Sequence, residues 1–574
     1  MRRATALVLA AALGLAGCAS IPTSGPVEEG NADISPVDPL VPIQEGPDPS
    51  DDPAAIVTGF LTASASGVAT DFTVAREFLT PDAAASWDPG AHTLVYDSGA
   101  VTPEWNEATR TVNYGVPLSA AIDESGRRID AADDAVAPIE FTLAQDAQGQ
   151  WRISELDDGV VISEADFTRF FRAVDLVFAT TDRTTVVPEV RWLPDNNIAT
   201  AVSRELIEGP SPWLADAVVT GFPASASLAV QSVVVEDGLA TVDLSTQSAS
   251  DPEDSALALE QMRLSLTGLP SVTDVEVRIG GLPLAVSGDA ELAAAPVPDG
   301  EAAAFVDGRL GVWDGEQLWT TPLTAGGVGD DASGLARAYP GGAVAYLQGG
   351  SEVVTTPLLG EEGTVLVEPT GDLGDPPGPV DTTLLHSGED LVAPSFDRYG
   401  YVWTAETSGD EGLVAIASSG EETALPVEWL QTRSVIAIAV SRDGARIVVV
   451  SRAGGQPVVE VAALVRDPGG VPLSVGEPLA IGAGVGTGVE VVWVDDTTVG
   501  VLGQVVDGSP TPLWLVEVGG ATTVVATIRD AVDVAVRSGE TSLLVIAGDG
   551  HGEERSGSSW VPVLTGVSEI AYSG

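Results

Sequence analysis

The sequence of 574 residues has no lysine, a single cysteine and only three histidines. One cysteine excludes disulfide bonds within the chain. The 25 basic residues are all arginines and stand against 84 acidic residues, which gives a net charge of −59. Such a surface repels nucleic acid and anionic lipid headgroups, so we expect no nucleic-acid partner. Beyond the N-terminus no apolar run approaches about 18 residues, so no later segment is expected to cross a membrane.

The only cysteine, Cys18, follows a segment typical of export signals. Arg2 and Arg3 precede the apolar stretch Ala4–Leu15, which suits a signal peptide and is short for a membrane span. Leu15-Ala16-Gly17-Cys18 then resembles a bacterial lipobox, which implies a diacylglycerol on the Cys18 thiol and cleavage before it. An ordinary cleaved signal with a chance cysteine is one alternative. A twin-arginine signal is another, although the arginine pair lacks the rest of that motif.

Composition and periodicity divide the chain into five parts. A stretch rich in Pro, Gly, Asp, Glu and Ser follows the cysteine and predicts a disordered tether. Apolar residues at helical and then strand spacing follow. We predict a signal peptide, a lipidated tether, a small α+β domain, a second α+β domain and a β-propeller, at 1–17, 18–50, 51–165, 166–288 and 289–574. The expected fold class is therefore multi-domain and mainly β.

The first predicted domain, 51–165, has helices followed by strands. Asp51-Asp52-Pro53 marks a helix start, and a second helix is expected over Phe72–Leu79. From Thr93 onward the apolar period is two, and the strands end with Trp151–Leu156. This order resembles the nuclear-transport-factor-2-like (NTF2-like) fold. No convergent acid, base and histidine is visible, so a binding or structural role is favoured over catalysis.

The second predicted domain, 166–288, carries a helix at Ile198–Glu208 and a hairpin turn at Asp237-Gly238. Its motifs resemble those of the germination-protein-M-like (GerMN) domain. They are Val187-Pro188 with Arg191, then Glu205 to Ser211, then Val242 to Ser245 after the turn.

From 289 onward an apolar strand, a tight polar turn and a second apolar strand recur about every 35 to 55 residues. The clearest copies surround Asp397 and Asp443-Gly444. This period is typical of four-stranded propeller blades and predicts about six of them, with a pair of β-sandwiches as the alternative.

The order of these parts resembles the LpqB family of actinobacterial lipoproteins. Local signatures agree: Ile21 to Gly25 after the cysteine, Gly149 to Ile153, and Pro394 to Asp397. The resemblance implies an accessory of the MtrA–MtrB two-component system that contacts the extracellular domain of the sensor histidine kinase. It also implies an influence on envelope homeostasis and division. Only Cys18 carries over as a site residue.

Other motifs do not support catalysis, a cofactor or a metal. The glycine-rich run Gly482–Gly488 precedes a β-type segment, whereas a phosphate loop needs a following helix. Ser395–Trp403 resembles the Asp-box of sialidase-like propellers, where it is a structural turn. His92, His386 and His551 show no metal-binding spacing.

The sequence therefore predicts a non-enzymatic lipoprotein, anchored on the extracytoplasmic face of the cell membrane through Cys18, that binds a sensor histidine kinase. Two rivals stay open: an enzyme acting on cell-wall glycans, and a scaffold that binds peptidoglycan. A charged cluster in the propeller's central channel would favour the enzyme. A channel lined by Ala, Gly and Val would count against it.

Overall fold

β-Strands dominate the chain, as its Val-rich runs predict. The computed structural model describes residues 45–97, 103–132, 135–248, 251–288, 290–320, 328–329, 331–339, 342–357, 382–504 and 509–574. The predicted signal peptide and Cys18, with the tether as far as residue 44, lie outside the described residues. Within the described ranges, no helix has the length and apolarity needed to cross a membrane.

The first domain begins with helices. Asp52 caps the first of them by accepting a hydrogen bond from the backbone N–H of Ala55 at 2.9 Å. The predicted helix over Phe72–Leu79 is shorter than expected, because Phe72 is left-handed (φ 60°) and Leu79 forms a bridge with Ile153. The helices are α1 (Pro53–Gly67), α2 (Thr73–Arg76), α3 (Pro81–Ser86) and α4 (Glu164–Phe170).

A seven-stranded sheet completes the first domain. Its central path runs β6-β5-β3-β1-β7, while β2 and β4 pair with β3. Phe60 of α1 meets Trp87 and Phe141 edge-on in the core. The NTF2-like assignment stays a prediction. The strands are β1 (His92–Tyr96), β2 (Glu104–Asn106), β3 (Thr111–Asp123), β4 (Arg128–Asp130), β5 (Val136–Gln145), β6 (Trp151–Glu155) and β7 (Val160–Ser163).

The second domain packs two helices against two small sheets. The helix predicted over Ile198–Glu208 is confirmed as α5, and α6 spans Pro252–Thr267. The first sheet has the order β10-β8-β9 and the second β11-β12-β13-β14. The strands are β8 (Phe171–Thr180), β9 (Val186–Pro194), β10 (Val218–Val219), β11 (Val234–Glu236), β12 (Leu239–Leu244), β13 (Asp274–Ile279) and β14 (Leu282–Pro283).

The third domain consists of six sheets, each with at least four strands, arranged as propeller blades. This arrangement excludes the pair of β-sandwiches. The strands of blades 1 to 3, from β15 to β25, are Ala302–Val306, Arg309–Trp313, Leu318–Thr320, Ala332–Arg337, Ala343–Gln348, Glu352–Pro357, Thr383–Ser387, Ser395–Phe396, Val402–Ala405, Leu413–Ile416 and Glu422–Leu425.

Blades 4 to 6 continue the same pattern, and blade 4 has one extra short strand, β30. From β26 to β39 the strands are Arg433–Val440, Arg446–Ala453, Gln456–Arg466, Pro472–Val475, Leu479–Ile481, Glu490–Trp493, Thr498–Leu502, Pro510–Glu517, Thr522–Arg529, Ala531–Val536, Leu543–Ala547, His551–Ser556, Ser559–Thr565 and Val567–Ala571.

The last strand closes the ring. β39 pairs antiparallel with β15, so the C-terminal strand becomes the innermost strand of blade 1, whose other three strands come from the start of the domain. The innermost strands of blades 1 to 6 are therefore β39, β18, β22, β26, β31 and β35. They surround a central channel.

Candidate functional site

The lipidation site predicted from the sequence, Cys18, lies outside the described residues. Its role stays a prediction. The described residues contain two places where charged side chains converge: the junction between the domains and the central channel of the propeller.

At the junction, Arg191 connects the first two domains. Its guanidinium is 2% exposed, donates to the backbone carbonyl of Ser125 at 2.7 Å, and pairs with the Glu189 carboxylate at 3.0 Å. The same Glu189 oxygen accepts the backbone N–H of Ser211 at 3.1 Å. Arg191 and Ser211 both belong to the motifs that resemble a GerMN domain. Their chemistry here is structural, because a buried ion pair with these bonds holds backbone segments in place.

Glu205, from the same motifs, lies 3.8 Å from Arg191 and lines a cleft of about 450 Å³ between the first two domains. Burial, and next the charge of Glu208, raise the pKa of Glu205 to about 7, although Arg191 partly offsets them. Two other polar groups of this cleft have protein partners. The Asn196 amide donates to the protein backbone, and the Thr200 hydroxyl accepts a backbone N–H.

The propeller also binds the second domain through charged side chains. Arg446, 1% exposed, pairs with Asp443 and donates to the carbonyl oxygens of Asp496 at 2.6 Å and Pro188 at 3.4 Å. Elsewhere on the interface, Arg398 pairs with Asp182.

Two further hydrogen bonds join the first two domains to one propeller loop, at Gly519 and Thr522. The Trp192 indole N–H donates to the Gly519 carbonyl at 2.8 Å, and the Asp130 carboxylate of the first domain accepts the Thr522 N–H at 2.9 Å. All three domains are thus fastened by buried or half-buried polar contacts.

The central channel encloses about 290 Å³. Most of its wall is small and apolar, with residues such as Ala336, Ala437, Ala439 and Val491. Three acidic residues interrupt this wall on three consecutive innermost strands: Glu490 of β31, Asp533 of β35 and Glu569 of β39. We call these three residues the channel carboxylates. None of the three is predicted as a site from the sequence.

Each channel carboxylate accepts a backbone N–H from the innermost strand of the next blade. Glu490 accepts from Val534 at 3.1 Å, Asp533 from Ile570 at 2.7 Å, and Glu569 from Leu335 at 2.9 Å. These bonds follow the ring from blade 5 through blades 6 and 1 to blade 2. The signal in the sequence is an acid inside a Val-rich strand, repeated at the blade period.

The channel carboxylates are also shifted toward their protonated forms. Burial, and then the nearby Asp533, raise the pKa of Glu490 well above its ordinary range, and burial likewise raises the pKa of Asp533. Burial, and then the charge of Asp533, raise the pKa of Glu569 to about 7.

The Asp-box-like segment forms a buried turn, as the sequence predicts. The Asp397 side chain is 0% exposed and accepts the backbone N–H groups of Tyr399 and Tyr401, both at 2.9 Å, and the Trp403 indole N–H at 2.8 Å. Arg466 pairs with the same carboxylate at 2.6 Å. Every acceptor direction of Asp397 is therefore used to hold the turn.

The remaining candidates lie far apart in the fold. His92 is on β1, while His386 and His551 contact Glu422 at 3.1 Å and Asp549 at 3.0 Å. The Gly482–Gly488 run joins β30 to β31 and leads into a strand rather than a helix. Across the described ranges, no three His, Cys, Asp or Glu side chains come together in a group that could hold a metal ion.

Three family models match successive parts of the chain. Residues 46–168 match the N-terminal domain of lipoprotein LpqB, 174–285 match a domain described as "Sporulation and spore germination", and 308–570 match the LpqB β-propeller domain. The chain belongs to the LpqB lipoprotein family.

Relatives named lipoprotein LpqB match over most of their length. The LpqB of Cutibacterium acnes is 28% identical over 602 residues, covering 99% of this chain and 98% of the relative. That of Bifidobacterium longum is 28% identical, covering 78% and 77%. Both LpqB relatives are named as lipoproteins and neither as an enzyme. Among solved structures, the tandem GerMN domains of the sporulation protein GerM from Bacillus subtilis are 20% identical, covering 21% of this chain and 48% of that one, with a TM-score of 0.18.

Proposed function

We propose that this LpqB-family chain is a lipid-anchored extracytoplasmic protein that acts by binding the extracellular domain of a sensor histidine kinase of the MtrA–MtrB type. The lipobox at Cys18 and the family name support the anchor. The kinase as partner comes from the family resemblance. Modulation of the kinase then requires a different affinity for its two signalling states.

The buried charged groups support binding rather than catalysis. Arg191, Asp397 and Arg446 each bond to backbone or to an opposite charge that holds a turn or a domain contact. The channel does contain the charged cluster that would favour the enzyme, but the rest of its wall is mostly small and apolar, and the channel carboxylates hold neighbouring blades in the same way. A catalytic acid or base needs a position from which it reaches substrate, whereas these groups are occupied by the fold itself.

The observation that carries the proposal is the solvent-facing side of the β11–β14 sheet. On one side of this sheet, Ala240 and Val242 belong to the core. Because side chains alternate along a strand, the residues next to Ala240 and Val242 point to the opposite side of the sheet, which faces solvent. Val234 is 51% and Leu239 37% exposed there, and Leu239 lies opposite Glu236 on β11.

This face combines aliphatic groups with acid. Asp274 is exposed and lies beside Leu239 on the next strand, and Glu276 follows on the same side, although it pairs with Arg278. Exposed aliphatic residues with an acidic rim suit a protein partner that presents apolar and basic side chains. We therefore place the kinase contact on this face.

The contact is tested with Leu239→Arg in the soluble body of the protein. An arginine there opposes the basic partner surface and removes an aliphatic contact, so we expect the Kd for the kinase extracellular domain to rise about ten-fold or more. Val524→Arg is the matched control, because Val524 is 57% exposed on β34 at the outer edge of blade 5. Equal effects of the two variants, or no binding by the parent, would contradict the proposed contact.

The anchor is tested with Cys18→Ser, which removes the only thiol that could carry lipid. We expect the variant to leave the detergent phase while its folded domains stay intact, and to lose its effect on kinase output in cells. Retention in the detergent phase would overturn the lipobox assignment. Cleavage of wall glycan by purified protein would instead support the enzyme, and binding to isolated wall material without kinase would support the peptidoglycan scaffold.

A further inference from the structure

We infer that the channel carboxylates form a protonation-dependent latch that closes the propeller ring, so that the ring is held more firmly at mildly acidic than at alkaline extracytoplasmic pH. This inference concerns the propeller alone and does not depend on the identity of the partner.

The latch spans three consecutive blade boundaries. The bonds from Glu490, Asp533 and Glu569 to the next innermost strand join blade 5 to 6, blade 6 to 1 and blade 1 to 2. The third strand of this series, β39, is the C-terminal strand that completes blade 1. The carboxylates therefore act where the ring is closed by segments distant in sequence, which is the boundary that must form for a propeller to be complete.

Two other boundaries use groups that do not titrate in this range. Between blades 3 and 4, the Ser395 hydroxyl accepts the Val440 N–H at 3.0 Å. Between blades 4 and 5, the Trp493 indole donates to the Ala439 carbonyl at 3.0 Å, and Arg442 donates to the Trp493 carbonyl at 3.1 Å. Ionisable acceptors are thus concentrated on one half of the ring.

After burial, the largest charge effects on the pKa values of Glu490 and Glu569 come from the other channel carboxylates. The charges that act on Glu490 are those of Asp533 and Glu569, and the charge that acts on Glu569 is that of Asp533. Three carboxylates together in an apolar wall repel one another when all are ionised.

Other titratable groups line the channel but act elsewhere. Burial raises the pKa of Tyr339, an effect that the charge of Arg442 partly offsets, and Arg337, at the end of β18, pairs with Asp299 and Glu301. Burial, and then the charge of Glu554, raise the pKa of Tyr572, and Arg537 and Arg337 partly offset them. Gly574 also lines the channel.

A shared proton resolves the repulsion. Glu490 and Asp533 lie within hydrogen-bonding reach of each other, and the protonated Glu490 donates to the Asp533 carboxylate. Burial raises the pKa of Glu569 from its ordinary 4.5 to about 7, so this group loses its proton near neutral pH. The folded state then holds protons that the unfolded chain releases, and the latch's contribution to stability falls as pH rises from about 4.5 through 7.

Hydrogen exchange of the unmodified full chain tests the latch directly. The Leu335 N–H bonds to Glu569, whereas the Val440 N–H bonds to the neutral Ser395 hydroxyl on an equivalent innermost strand. After correction for intrinsic exchange, we expect protection of Leu335, Val534 and Ile570 to fall between pH 6 and pH 8 by at least about three-fold more than that of Val440. Parallel changes at all four amides would overturn the inference.

A substitution gives the second test. Glu569→Gln keeps an acceptor for Leu335 but cannot ionise, so its Tm should fall less between pH 6 and pH 8 than the parent's. At pH 8 we expect the variant to melt about 2 °C or more above the parent. Glu316→Gln, on an exposed loop, is the control and should follow the parent. Identical pH slopes for parent and Glu569→Gln would refute the latch.

Discussion

Two regions of the propeller stabilise buried acidic side chains in different ways. On blades 3 and 4, the buried Asp397 and Asp443 each pair with an arginine, Arg466 and Arg446, and we call them the arginine-paired aspartates. On blades 5, 6 and 1, the channel carboxylates have no arginine partner among the described residues and are held by backbone N–H groups and by each other.

The difference shows how the same strand arrangement tolerates two kinds of buried charge. An arginine beside a carboxylate favours the ionised form, and the pair is lost only if one partner is removed. Carboxyls that meet only one another favour a proton instead, so their stability follows pH. The paired region also contacts the second domain through Pro188 and Arg446, whereas the channel carboxylates face inward. A permanent charge pair suits a fixed domain contact.

The largest expected effect is on the arginine-paired side. Asp397→Asn removes the charge that neutralises Arg466, which is 2% exposed and stacks near the Tyr399 and Trp403 rings. Leaving a buried guanidinium unpaired should lower the free energy of unfolding by about 3–5 kcal/mol, measured by urea denaturation.

Asp314→Asn is the matched control for this prediction. Asp314 holds a turn with the same pattern: it accepts backbone N–H groups from Glu316 and Gln317 and the Trp319 indole N–H at 2.9 Å, but it is exposed and has no arginine partner. We expect a far smaller loss of stability for this variant. Similar losses for Asp314→Asn and Asp397→Asn would show that the turn bonds, and not the charge pair, carry the effect.

Much of the architecture could be predicted from the periodicity of apolar residues and from turn residues. The helix over Ile198–Glu208 was predicted with its bounds because apolar spacing and Gly209-Pro210 mark it locally. The Asp397 turn was predicted as structural because its pattern is contained in a few consecutive residues. The short α2 was not, since a tertiary bridge from Leu79 to Ile153 ended the helical pattern early.

The partners of the buried charged side chains could not be predicted from the sequence, because they come from distant segments of the chain. Arg191 was noted in a motif, but its bond to the Ser125 carbonyl belongs to another domain. The channel carboxylates are single acids in apolar strands, and only closure of the ring brings Glu569 beside Asp533. Such sites follow from the order of blades around the axis, which a pattern along the chain does not contain.

The smallest expected effect on the free energy of unfolding is that of a substitution at Glu490, one of the channel carboxylates. Glu490 donates a hydrogen bond to Asp533 and accepts the Val534 N–H, and a glutamine, which has both a donor and an acceptor, can reproduce both bonds without a charge. Glu490→Gln should therefore change the free energy of unfolding by less than about 1 kcal/mol at pH 6.

The pH dependence of Glu490→Gln then decides how the channel differs from the arginine-paired side. Because burial and Asp533 raise the pKa of Glu490 in the folded state, the parent loses stability as pH rises, and the variant should lose less. Urea denaturation of both proteins at pH 6 and pH 8.5 measures this. A loss of several kcal/mol at pH 6 would mean that an ionised Glu490 holds blade 6, and the channel would then resemble the arginine-paired side in depending on a permanent charge.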